Sequence, residues 1–515
     1  MKNLIELFEK SPPKTNEGKI CLRIIRETIR EIGFSKLKME ARQFAFWLIK
    51  RKGVQIGDRI AVLGKNRVDW DIAFWGIVLA GAVPVLIDPD RNTQDVKNHI
   101  VHTESKILII AEDYQYDSRA IPGLEIIEMT SYEEVGSVEE IWACLESIRR
   151  KINPQDTAVI VCTSGTTDNP KEVELTHDNL LANIKGSLEL VKIGPKDNLL
   201  HILPAHHSFG LTVGKLLPFA VGATNIYTDK YQRIAELIRS EKITIFMAVP
   251  ALFKIMAKKL QGLSWAKKIA LKFFGWRKLR FCVSGSAPMP IWTLETFWKN
   301  GFKLYEGYGT TENSPVYGFN TDRNKLGAVG KPISTLSVKI APDGEICLAG
   351  PCIMKGYYRN PEATQNVIEI DENGIRWLHT GDLGYLDEDG CLYITGRKKN
   401  VIVLPGGKKV SPERVELVLS QARYVDEVLV IPCFVSDKEE NVKVIVRPDL
   451  DKIKPGTSQE QLKNLVWQSI QKCQQESLEM SFSERIKSSN QLEIKFDDFE
   501  KTTTGKIKRE CYLQR

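Results

Sequence analysis

The sequence lacks a long uninterrupted apolar run, so no membrane-spanning helix is expected. Its most apolar stretch, residues 72 to 87, is shorter than the roughly 20 residues that a span requires, and it contains Pro84. We predict a buried helix followed by a strand there. The N-terminal residues mix charged and apolar side chains from the start, which is not typical of a secretory signal peptide.

Paired cysteines are also lacking, although the chain has 10 cysteines. None forms a C-x-x-C pair or lies in a histidine-rich cluster, so their pattern indicates neither a zinc site nor a disulfide framework. Scattered free thiols are typical of the reducing cytoplasm, which is the location we expect. The cysteines are Cys21, Cys144, Cys162, Cys282, Cys347, Cys352, Cys391, Cys433, Cys473 and Cys511.

Acidic residues are missing from one long segment, although the net charge of the whole chain is only +7. Between Glu241 and Glu295 every charged side chain is Lys or Arg. Residues 264 to 281 can form a helix with an apolar face and a basic remainder, which is either a packed helix with a solvated side or a patch for an anionic membrane or substrate. No recognised nucleic-acid motif accompanies the charge, so nucleic acid is not expected. The apolar face would be Trp265, Ile269, Phe273 and Trp276, and the basic residues are Lys267, Lys268, Lys272, Arg277 and Lys278.

The order of apolar patterns predicts an α/β protein with a smaller C-terminal unit. Over the first 390 or so residues, short β-type runs at 59–64, 107–112, 158–163 and 243–250 alternate with longer helical patterns, which indicates largely parallel sheets. Later, residues 387–416 predict a hairpin, a charged junction, a glycine turn and a helix that Ser411 caps. We place a domain boundary at Arg397 to Lys399, with a small α+β unit after it.

The segment "VCTSGTTDNPKEVELTH", residues 161 to 177, has the composition of a phosphate-binding turn. It is not a Walker loop, because Pro170 stands where the second glycine would be and Glu172 follows the lysine. A dinucleotide G-x-G-x-x-G is absent as well. Hydroxyl and backbone N–H groups in a turn between a strand and a helix can donate to phosphate oxygens, and Lys171 adds positive charge. The donors would come from Thr163, Ser164, Gly165, Thr166 and Thr167.

Seven ordered motifs together resemble those of the AMP-forming adenylating enzymes, a superfamily that includes acyl-CoA synthetases, luciferases and peptide-synthetase adenylation domains. The loop "TSGTTDNPKEV" is similar to that family's T-S-G-T-T-G-x-P-K-G-V. The other motifs follow in the family's order and are "LPAHHSFG" (203–210), "VSGSAPMP" (283–290), "YEGYGTTENSP" (305–315), "HTGDLGYLDEDG" (379–390), "ITGRKKNVIV" (394–403) and "KTTTGKIKR" (501–509).

The resemblance implies a role for each matching residue. Attack of a carboxylate on the α-phosphate of ATP brings two anions together, so the site needs cations, a metal ion and directed donors. Lys506 matches the lysine that reaches the acyl carboxylate and the α-phosphate, and His207 matches a position near the acyl carboxylate. Magnesium would be held by Glu312 and Thr163, and Lys399 matches the hinge. The other implied ATP- and AMP-binding residues are Ser164, Gly165, Thr166, Thr167, Lys171, Gly285, Ser286, Ala287, Gly307, Tyr308, Gly309, Thr310, Thr311, Asp382 and Arg397.

The same resemblance implies the architecture and the reaction. We expect a large N-terminal domain (1–396) of two α/β subdomains and a distorted β-barrel, a hinge at 397–399, and a mobile C-terminal domain (400–515). In the implied reaction, with Mg²⁺ as cofactor, ATP and an apolar acid form an acyl-AMP, and the acyl group passes to coenzyme A; the acid we expect is a long-chain fatty acid. An acyl carrier protein is the alternative acceptor. The acyl tunnel would run between residues 207–212, 247–253 and 305–309.

Two residues depart from the family pattern in the phosphate loop. Asp168 and Glu172 replace family glycines, and carboxylates beside the β- and γ-phosphates would repel them. We therefore expect a working enzyme with weakened ATP binding. Two alternatives stay open at this point: a non-catalytic nucleotide or acyl sensor, and an activation module for a lipid acyltransferase at the membrane.

Overall fold

The computed structural model describes most of the chain. The described residues are 1–12, 18–117, 119, 121–163, 171–271, 276–404, 408–436, 439–477, 480, 484–502 and 507–513, and the side chains of 269, 270 and 434–441 are not described. Four predicted site residues in the phosphate loop (164–167), Asp168, Lys272, Phe273 and Lys506 lie outside this part of the chain. In the described part, no helix combines the length and the apolar character that a membrane crossing needs.

The first subdomain is a seven-stranded, mostly parallel sheet, as the alternating pattern predicts. Its order is β17-β8-β7-β4-β3-β5-β6. Near-continuous Val, Ile and Leu runs form its central strands because helices cover both faces. The strands are β3 (Arg59–Leu63), β4 (Val83–Ile87), β5 (Ile107–Ile110), β6 (Glu125–Glu128), β7 (Thr157–Cys162), β8 (Glu172–Thr176) and β17 (Gly356–Tyr357).

The second subdomain is an eight-stranded sheet of order β14-β13-β12-β11-β9-β10-β1-β2. Its inner strands are parallel, and an antiparallel strand lies at each edge. The strands are β1 (Ile20–Ile25), β2 (Ile29–Gly33), β9 (Asn198–His201), β10 (Thr224–Thr228), β11 (Ile245–Ala248), β12 (Phe281–Ser284), β13 (Leu304–Tyr308) and β14 (Gly318–Phe319).

Thirteen helices of the described chain belong to the N-terminal portion and pack on these sheets. The predicted helix-then-strand at 72–87 is present as α3 followed by β4. The helices are α1 (Leu4–Lys10), α2 (Phe34–Lys52), α3 (Val68–Leu79), α4 (Thr93–His102), α5 (Val138–Lys151), α6 (His177–Leu190), α7 (Ser208–Leu211), α8 (Leu217–Val221), α9 (Ile234–Ser240), α10 (Pro250–Gly262), α11 (Trp265–Ala270), α12 (Ile291–Lys299) and α13 (Pro361–Gln365).

A five-stranded antiparallel sheet occupies the position of the expected barrel. The long strand β19 pairs with β16, β18 and β20, and the β19–β20 hairpin is the one that the sequence predicts. The strands are β15 (Ser337–Ile340), β16 (Glu345–Ala349), β18 (Ile368–Ile370), β19 (Arg376–Leu386) and β20 (Leu392–Arg397).

The C-terminal unit is a small α+β assembly with its own apolar core. Helix α14 begins at Pro412 with Ser411 at its N-cap, as predicted, although the Ser411 side chain makes no capping hydrogen bond. The elements are β21 (Ile402–Val403), β22 (Lys409–Val410), α14 (Pro412–Leu419), β23 (Val425–Ser436), β24 (Glu439–Pro448), α15 (Gln459–Glu476) and β25 (Leu492–Ile494).

The predicted amphipathic helix at 264–281 is wrong in its extent and in its face. Helix α11 ends at Ala270, and Trp276 lies beyond it in a turn. Trp276 is buried against Phe302, and its indole N–H donates to the backbone oxygen of Ala235 at 3.3 Å. Trp265, by contrast, is 76% exposed. The two tryptophans therefore do not form one apolar face, since one is exposed and the other is buried.

The buried His177 joins helix α6 to the N-terminal helix α1. Its Nδ1 accepts a hydrogen bond from the Leu4 N–H at 3.2 Å, which requires an unprotonated ring nitrogen. Burial lowers the pKa of His177 to about 4, that of His201 to about 3 and that of His206 to about 4. The folded chain therefore holds these three rings neutral at a pH where the unfolded chain protonates them.

We expect the stability of the protein to fall as the pH drops from 6.5 through about 4. In that window these histidines are protonated in the unfolded chain and neutral in the folded chain. Each lowered pKa therefore reduces the free energy of unfolding by roughly 2 kcal/mol at pH 5 relative to pH 7. In the His177→Gln variant, the loss of stability between pH 7 and pH 5 should be smaller by the contribution of one histidine. The measurement is the urea midpoint of the wild type and of the variant at pH 7 and at pH 5. An identical loss of stability in the two proteins would contradict the role of His177.

Candidate active site

One large cavity, of about 880 Å³, lies where the two large sheets, the small sheet and the C-terminal unit meet. Residues from all seven sequence motifs line it, from Thr163 and Lys171 at the ends of the phosphate loop to Arg397, Lys399 and Thr502 later in the chain. Most predicted site residues of the described chain are therefore neighbours. The others that line it are His207, Gly285, Ser286, Gly307, Tyr308, Gly309, Thr310, Thr311 and Glu312.

The carboxylate of Asp382 links the strand edge of the cavity to the hinge. Asp382 is buried, and it faces Arg397 directly across the β19–β20 pair. Its Oδ1 accepts from the Arg397 Nε–H at 2.7 Å, and its Oδ2 accepts from the Tyr308 hydroxyl at 2.6 Å. Burial, and then the carboxylate, raise the pKa of Tyr308, while Asp382 raises the pKa of Arg397. Asp382 and Ala287 are not themselves cavity-lining residues.

Glycines in the 285–309 strands let other groups approach the backbone closely. A Cβ on Gly309 would lie 1.6 Å from the Pro315 carbonyl oxygen, and one on Gly307 would lie 2.6 Å from the Phe319 ring. The Phe209 ring lies against Gly285, where a Cβ would be 3.2 Å away. Any larger residue at 307 or 309 would displace the wall of the cavity.

The Thr310–Glu312 segment is held by hydrogen bonds to its own turn and to helix α7. Thr310 N–H donates to Asn313 Oδ1 at 2.6 Å, and the hydroxyls of Ser208 and Thr311 lie 3.0 Å apart. These contacts fix the hydroxyl-rich turn next to the start of the helix that follows His207. The arrangement presents several donors to one side of the cavity.

Tyr357 is a cavity residue that the sequence interpretation missed. Its hydroxyl donates to Glu312 Oε1 at 2.9 Å, and the Lys171 ammonium lies 4.4 Å from its ring centre. Burial, and then Glu312, raise the pKa of Tyr357. A tyrosine at the end of "MKGYY" has no motif of its own, so only its position in β17, beside β8, reveals the contact.

The two ends of the phosphate loop are tied together. Both the Thr163 N–H and its hydroxyl donate to the Lys171 carbonyl oxygen at 2.9 Å. At the other end of the chain, Lys501 and Ile507 form a β-bridge, and Thr502 lines the cavity. Of the residues that flank 503–506, Thr502 therefore reaches the site, and Lys506 itself lies outside the described residues.

Glu172 does not face the cavity, which corrects the concern that it repels phosphates. It is 4% exposed and points to helix α4, where Oε1 lies 2.7 Å from His99 Nδ1 and Oε2 lies 2.9 Å from His102 Nδ1. The reason is strand alternation, since the side chain of the first residue of β8 points to the helix-covered face of the sheet. The second concern, Asp168, lies outside the described residues.

His206 and His207 differ in environment. His207 lines the cavity, whereas His206 is buried with its Nε2 3.5 Å from Asp88 Oδ1. Burial lowers the pKa of His206 even though Asp88 acts in the opposite sense. In the described chain, none of residues 247–253 lines the cavity, because Met247 and Phe253 are packed in the cores of the sheet. The predicted acyl tunnel therefore lacks one of its three segments in this structure.

Family profiles match nearly the whole chain. Residues 8–358 match the profile described as AMP-binding enzyme, and residues 399–515 match the AMP-binding enzyme C-terminal domain. The chain belongs to the AMP-binding enzyme family. The matched ranges contain five of the seven motifs whole; the motif at 379–390 lies between the two ranges, and the one at 394–403 lies partly in the second. The sequence resemblance is confirmed.

Similar proteins agree with this assignment and confirm the fold class. The long-chain-fatty-acid–CoA ligase of Bacillus subtilis is 28% identical over 470 residues, which cover 81% of each chain. The ligase of that name from Escherichia coli O6:H1 is 26% identical and covers 86% of this chain and 85% of its own. The solved anthranilate CoA ligase AuaEII, in complex with anthranoyl-AMP, superposes with a TM-score of 0.80 at 23% identity, covering 99% and 96% of the two chains.

We expect Glu172→Gly to destabilise the protein without improving its use of ATP. Removing the carboxylate leaves two histidines, one fully buried, without their partner, and breaking a buried pair typically costs about 3–5 kcal/mol. The Michaelis constant for ATP should change less than ~3-fold, since the side chain faces away from the cavity. Urea unfolding and steady-state kinetics measure the two effects.

The matched control is Glu174→Gln, on the same strand but at a partly exposed position beside Lys355. It should cost at most about 1 kcal/mol, as partly exposed pairs do. A tenfold fall in the Michaelis constant for ATP on Glu172→Gly would show instead that this carboxylate reaches the polyphosphate.

Proposed function

We propose that this protein activates a long-chain fatty acid as its acyl-adenylate and transfers the acyl group to coenzyme A. Acid–CoA ligase activity through an adenylate, with ATP, Mg²⁺ and coenzyme A as cofactors, follows from membership of the family. The identity of the acid, a fatty acid, is the part that we propose. The observation that carries it is the apolar wall beside His207.

That wall is formed by aromatic and aliphatic side chains rather than by cations. Phe209, Pro315, Val316 and Phe319 line the same cavity as His207. Lys215 is the first lysine after His207 in the sequence. It is buried, and its ammonium is paired with Asp71 at 2.5 Å. It is therefore not available for a second carboxylate, which argues against a dicarboxylic acid.

We assign the nucleotide to the part of the cavity formed by β13 and the turn after it. Tyr308 and the glycines of β13 would face the adenine, since small residues leave room for a flat ring. Asp382 would exchange its bonds to Tyr308 and Arg397 for the ribose hydroxyls. Lys171, Thr310 and Thr311 would contact the phosphates.

The residues proposed for magnesium fit that ion chemically. Glu312 offers a carboxylate and Thr163 a hydroxyl oxygen, and hard oxygen ligands are the ones that Mg²⁺ prefers. Magnesium bound there would offset the charge of the ATP phosphates. Tyr357, which donates to Glu312, would orient that carboxylate.

We also propose that the unit after Lys399 moves between the two half-reactions. The proposed domains are 1–396, the hinge at 397–399 and 400–515. Lys398 is held by Asp343 at 2.6 Å and Glu345 at 3.0 Å, so the residue before Lys399 is anchored to the small sheet. A fixed point next to a junction allows rotation of the following unit without loss of the nucleotide contacts.

The alternative of a non-catalytic nucleotide or acyl sensor was suggested by two carboxylates, Asp168 and Glu172. Glu172 no longer supports it, because its side chain points to His99 and His102 and not to the cavity. An acyl carrier protein as acceptor and a link to a lipid acyltransferase remain further predictions. The acceptor can be tested directly by supplying either thiol to the same adenylate.

A panel of acids, incubated with ATP, Mg²⁺ and coenzyme A and scored for AMP and pyrophosphate, tests the proposed substrate. We expect turnover with C12 to C18 fatty acids and at least ~10-fold lower kcat/KM with aromatic or dicarboxylic acids, because the wall beside His207 offers apolar contact only. Preference for an acid with a second charged group would overturn the fatty-acid proposal.

The panel is repeated with Lys506→Ala, and Lys508→Ala, which removes another lysine of the same segment, is its matched control. Loss of a transition-state donor costs about 100-fold or more, so Lys506→Ala should fall by at least that factor in adenylate formation. It should still convert supplied acyl-adenylate to thioester.

We further propose that the surface around α11 contacts an anionic membrane. Trp265 is 76% exposed and Ile255, on the neighbouring helix α10, is 53% exposed. Lys267, Arg277 and Lys278 are exposed nearby in sequence, in the segment without acidic residues. An exposed tryptophan beside basic side chains is typical of an interfacial contact.

Replacement of Lys267, Lys268, Arg277 and Lys278 by Gln should reduce co-sedimentation with vesicles that contain anionic lipid by up to ~1,000-fold in affinity. Each basic residue near such a surface contributes about 1 kcal/mol. The control replaces four exposed lysines elsewhere by Gln: Lys10, Lys36, Lys454 and Lys472. Equal loss in both variants, or binding insensitive to salt, would refute a contact at α11.

A further inference from the structure

A histidine pair and an aspartate converge at the rim of the cavity, apart from the groups assigned to the nucleotide. Asp88 follows β4, and His206 and His207 precede α7, so the topology brings together residues that are distant in sequence. One ligand-type atom from each of the three lies within 4.8 Å of the others. Asp88 and His206 are buried, and His207 is partly exposed.

The contact between Asp88 and His206 is poor as a hydrogen bond. The distance from Asp88 Oδ1 to His206 Nε2 is 3.5 Å, and within the described chain this buried nitrogen has no hydrogen-bond partner. A buried polar atom without a partner is rare in folded proteins and indicates a ligand or a functional role. The spacing itself suggests which ligand.

The spacing matches the edge of a tetrahedral zinc site. Zinc–nitrogen and zinc–oxygen bonds of about 2.0–2.1 Å place two ligand atoms of one ion roughly 3.3 Å apart. Asp88 and His206 are therefore almost at their bound separation. The ligand atom of His207 lies within 4.8 Å of the other two, and rotation of this partly exposed side chain would bring it to bonding distance.

The charges around the three residues permit a divalent cation. Lys65 and Arg91 lie close enough to His206 to act on it electrostatically. Each has a carboxylate partner of its own, Asp90 at 2.9 Å from Lys65 and Asp95 at 3.9 Å from Arg91. These carboxylates reduce the repulsion that the two cations would exert on a divalent ion.

We propose that Asp88, His206 and His207 form a zinc-binding site that inhibits the enzyme when it is occupied. Two imidazoles and one carboxylate, with water in the fourth position, are a common ligand set for Zn²⁺. His207 lines the cavity, which gives the ion a route to the site. Zinc would engage His207 and so compete with the carboxylic acid, a consequence that rests on the proposed function.

Calorimetric titration of the metal-free full-length protein with ZnCl₂, and visible spectroscopy with CoCl₂, test the site without any assay of activity. We expect one ion per chain and a cobalt spectrum of tetrahedral intensity. Asp88→Asn and His206→Asn should each weaken binding by at least ~100-fold, since even loss of an outer partner of a ligand costs 10–100-fold. Either variant suffices if the other does not fold.

His102→Gln is the matched control, because His102 is a partly exposed histidine that also pairs with a carboxylate, Glu172. It should retain zinc binding. Binding of ~1 mM or weaker in the wild type, or equal binding in both site variants, would overturn this inference. If zinc binds as expected and no acid is activated, the proposed function fails while the site stands. If acids are activated, zinc should raise their Michaelis constants, and inhibition that does not depend on the acid concentration would overturn the competition.

Discussion

The arrangement of the site depends on the buried carboxylate of Asp382. It accepts from Tyr308 at the end of the second large sheet and from Arg397 at the end of the small sheet. The Tyr308 bond joins the second large sheet to the small sheet. The Arg397 bond fixes the last residue of β20, which directly precedes the segment 398–400 that leads into the C-terminal unit. A buried charge is retained only where hydrogen bonds compensate for its lost hydration, so nucleotide hydroxyls are natural replacements for these partners.

The buried carboxylate of Glu172 is also compensated by partners for its lost hydration. A family glycine is replaced by a carboxylate, which looks harmful when only the loop is considered. In the structure His99 and His102 receive that carboxylate, and the strand is thereby bound to helix α4. Glu172 therefore links β8 to α4 and does not line the cavity. A departure from a motif is therefore interpreted correctly only together with the residues that contact it.

Much of the fold was predictable from the sequence, since hydrophobic runs such as 59–64 and 158–163 and the cap at Ser411 are local signals. The motif residues Thr163, Tyr308, Glu312 and Arg397, which the sequence resemblance singles out, all line the cavity. Four features were not predictable. Tyr357 and Asp88 lie outside the seven motifs, and their contacts with Glu312 and His206 join segments that are distant in sequence. The side of the sheet that Glu172 faces depends on strand register, and the burial of Trp276 depends on tertiary packing that helical periodicity does not reveal.

The most direct test of acid activation in this cavity follows the oxygen atoms. The protein is incubated with ATP, Mg²⁺, coenzyme A and a fatty acid that carries ¹⁸O in both carboxylate oxygens, and the products are weighed by mass spectrometry. If the carboxylate attacks the α-phosphate, one labelled oxygen appears in AMP, the other stays in the thioester, and pyrophosphate carries none. Label in pyrophosphate or inorganic phosphate, or unlabelled AMP beside a labelled thioester, would contradict the account.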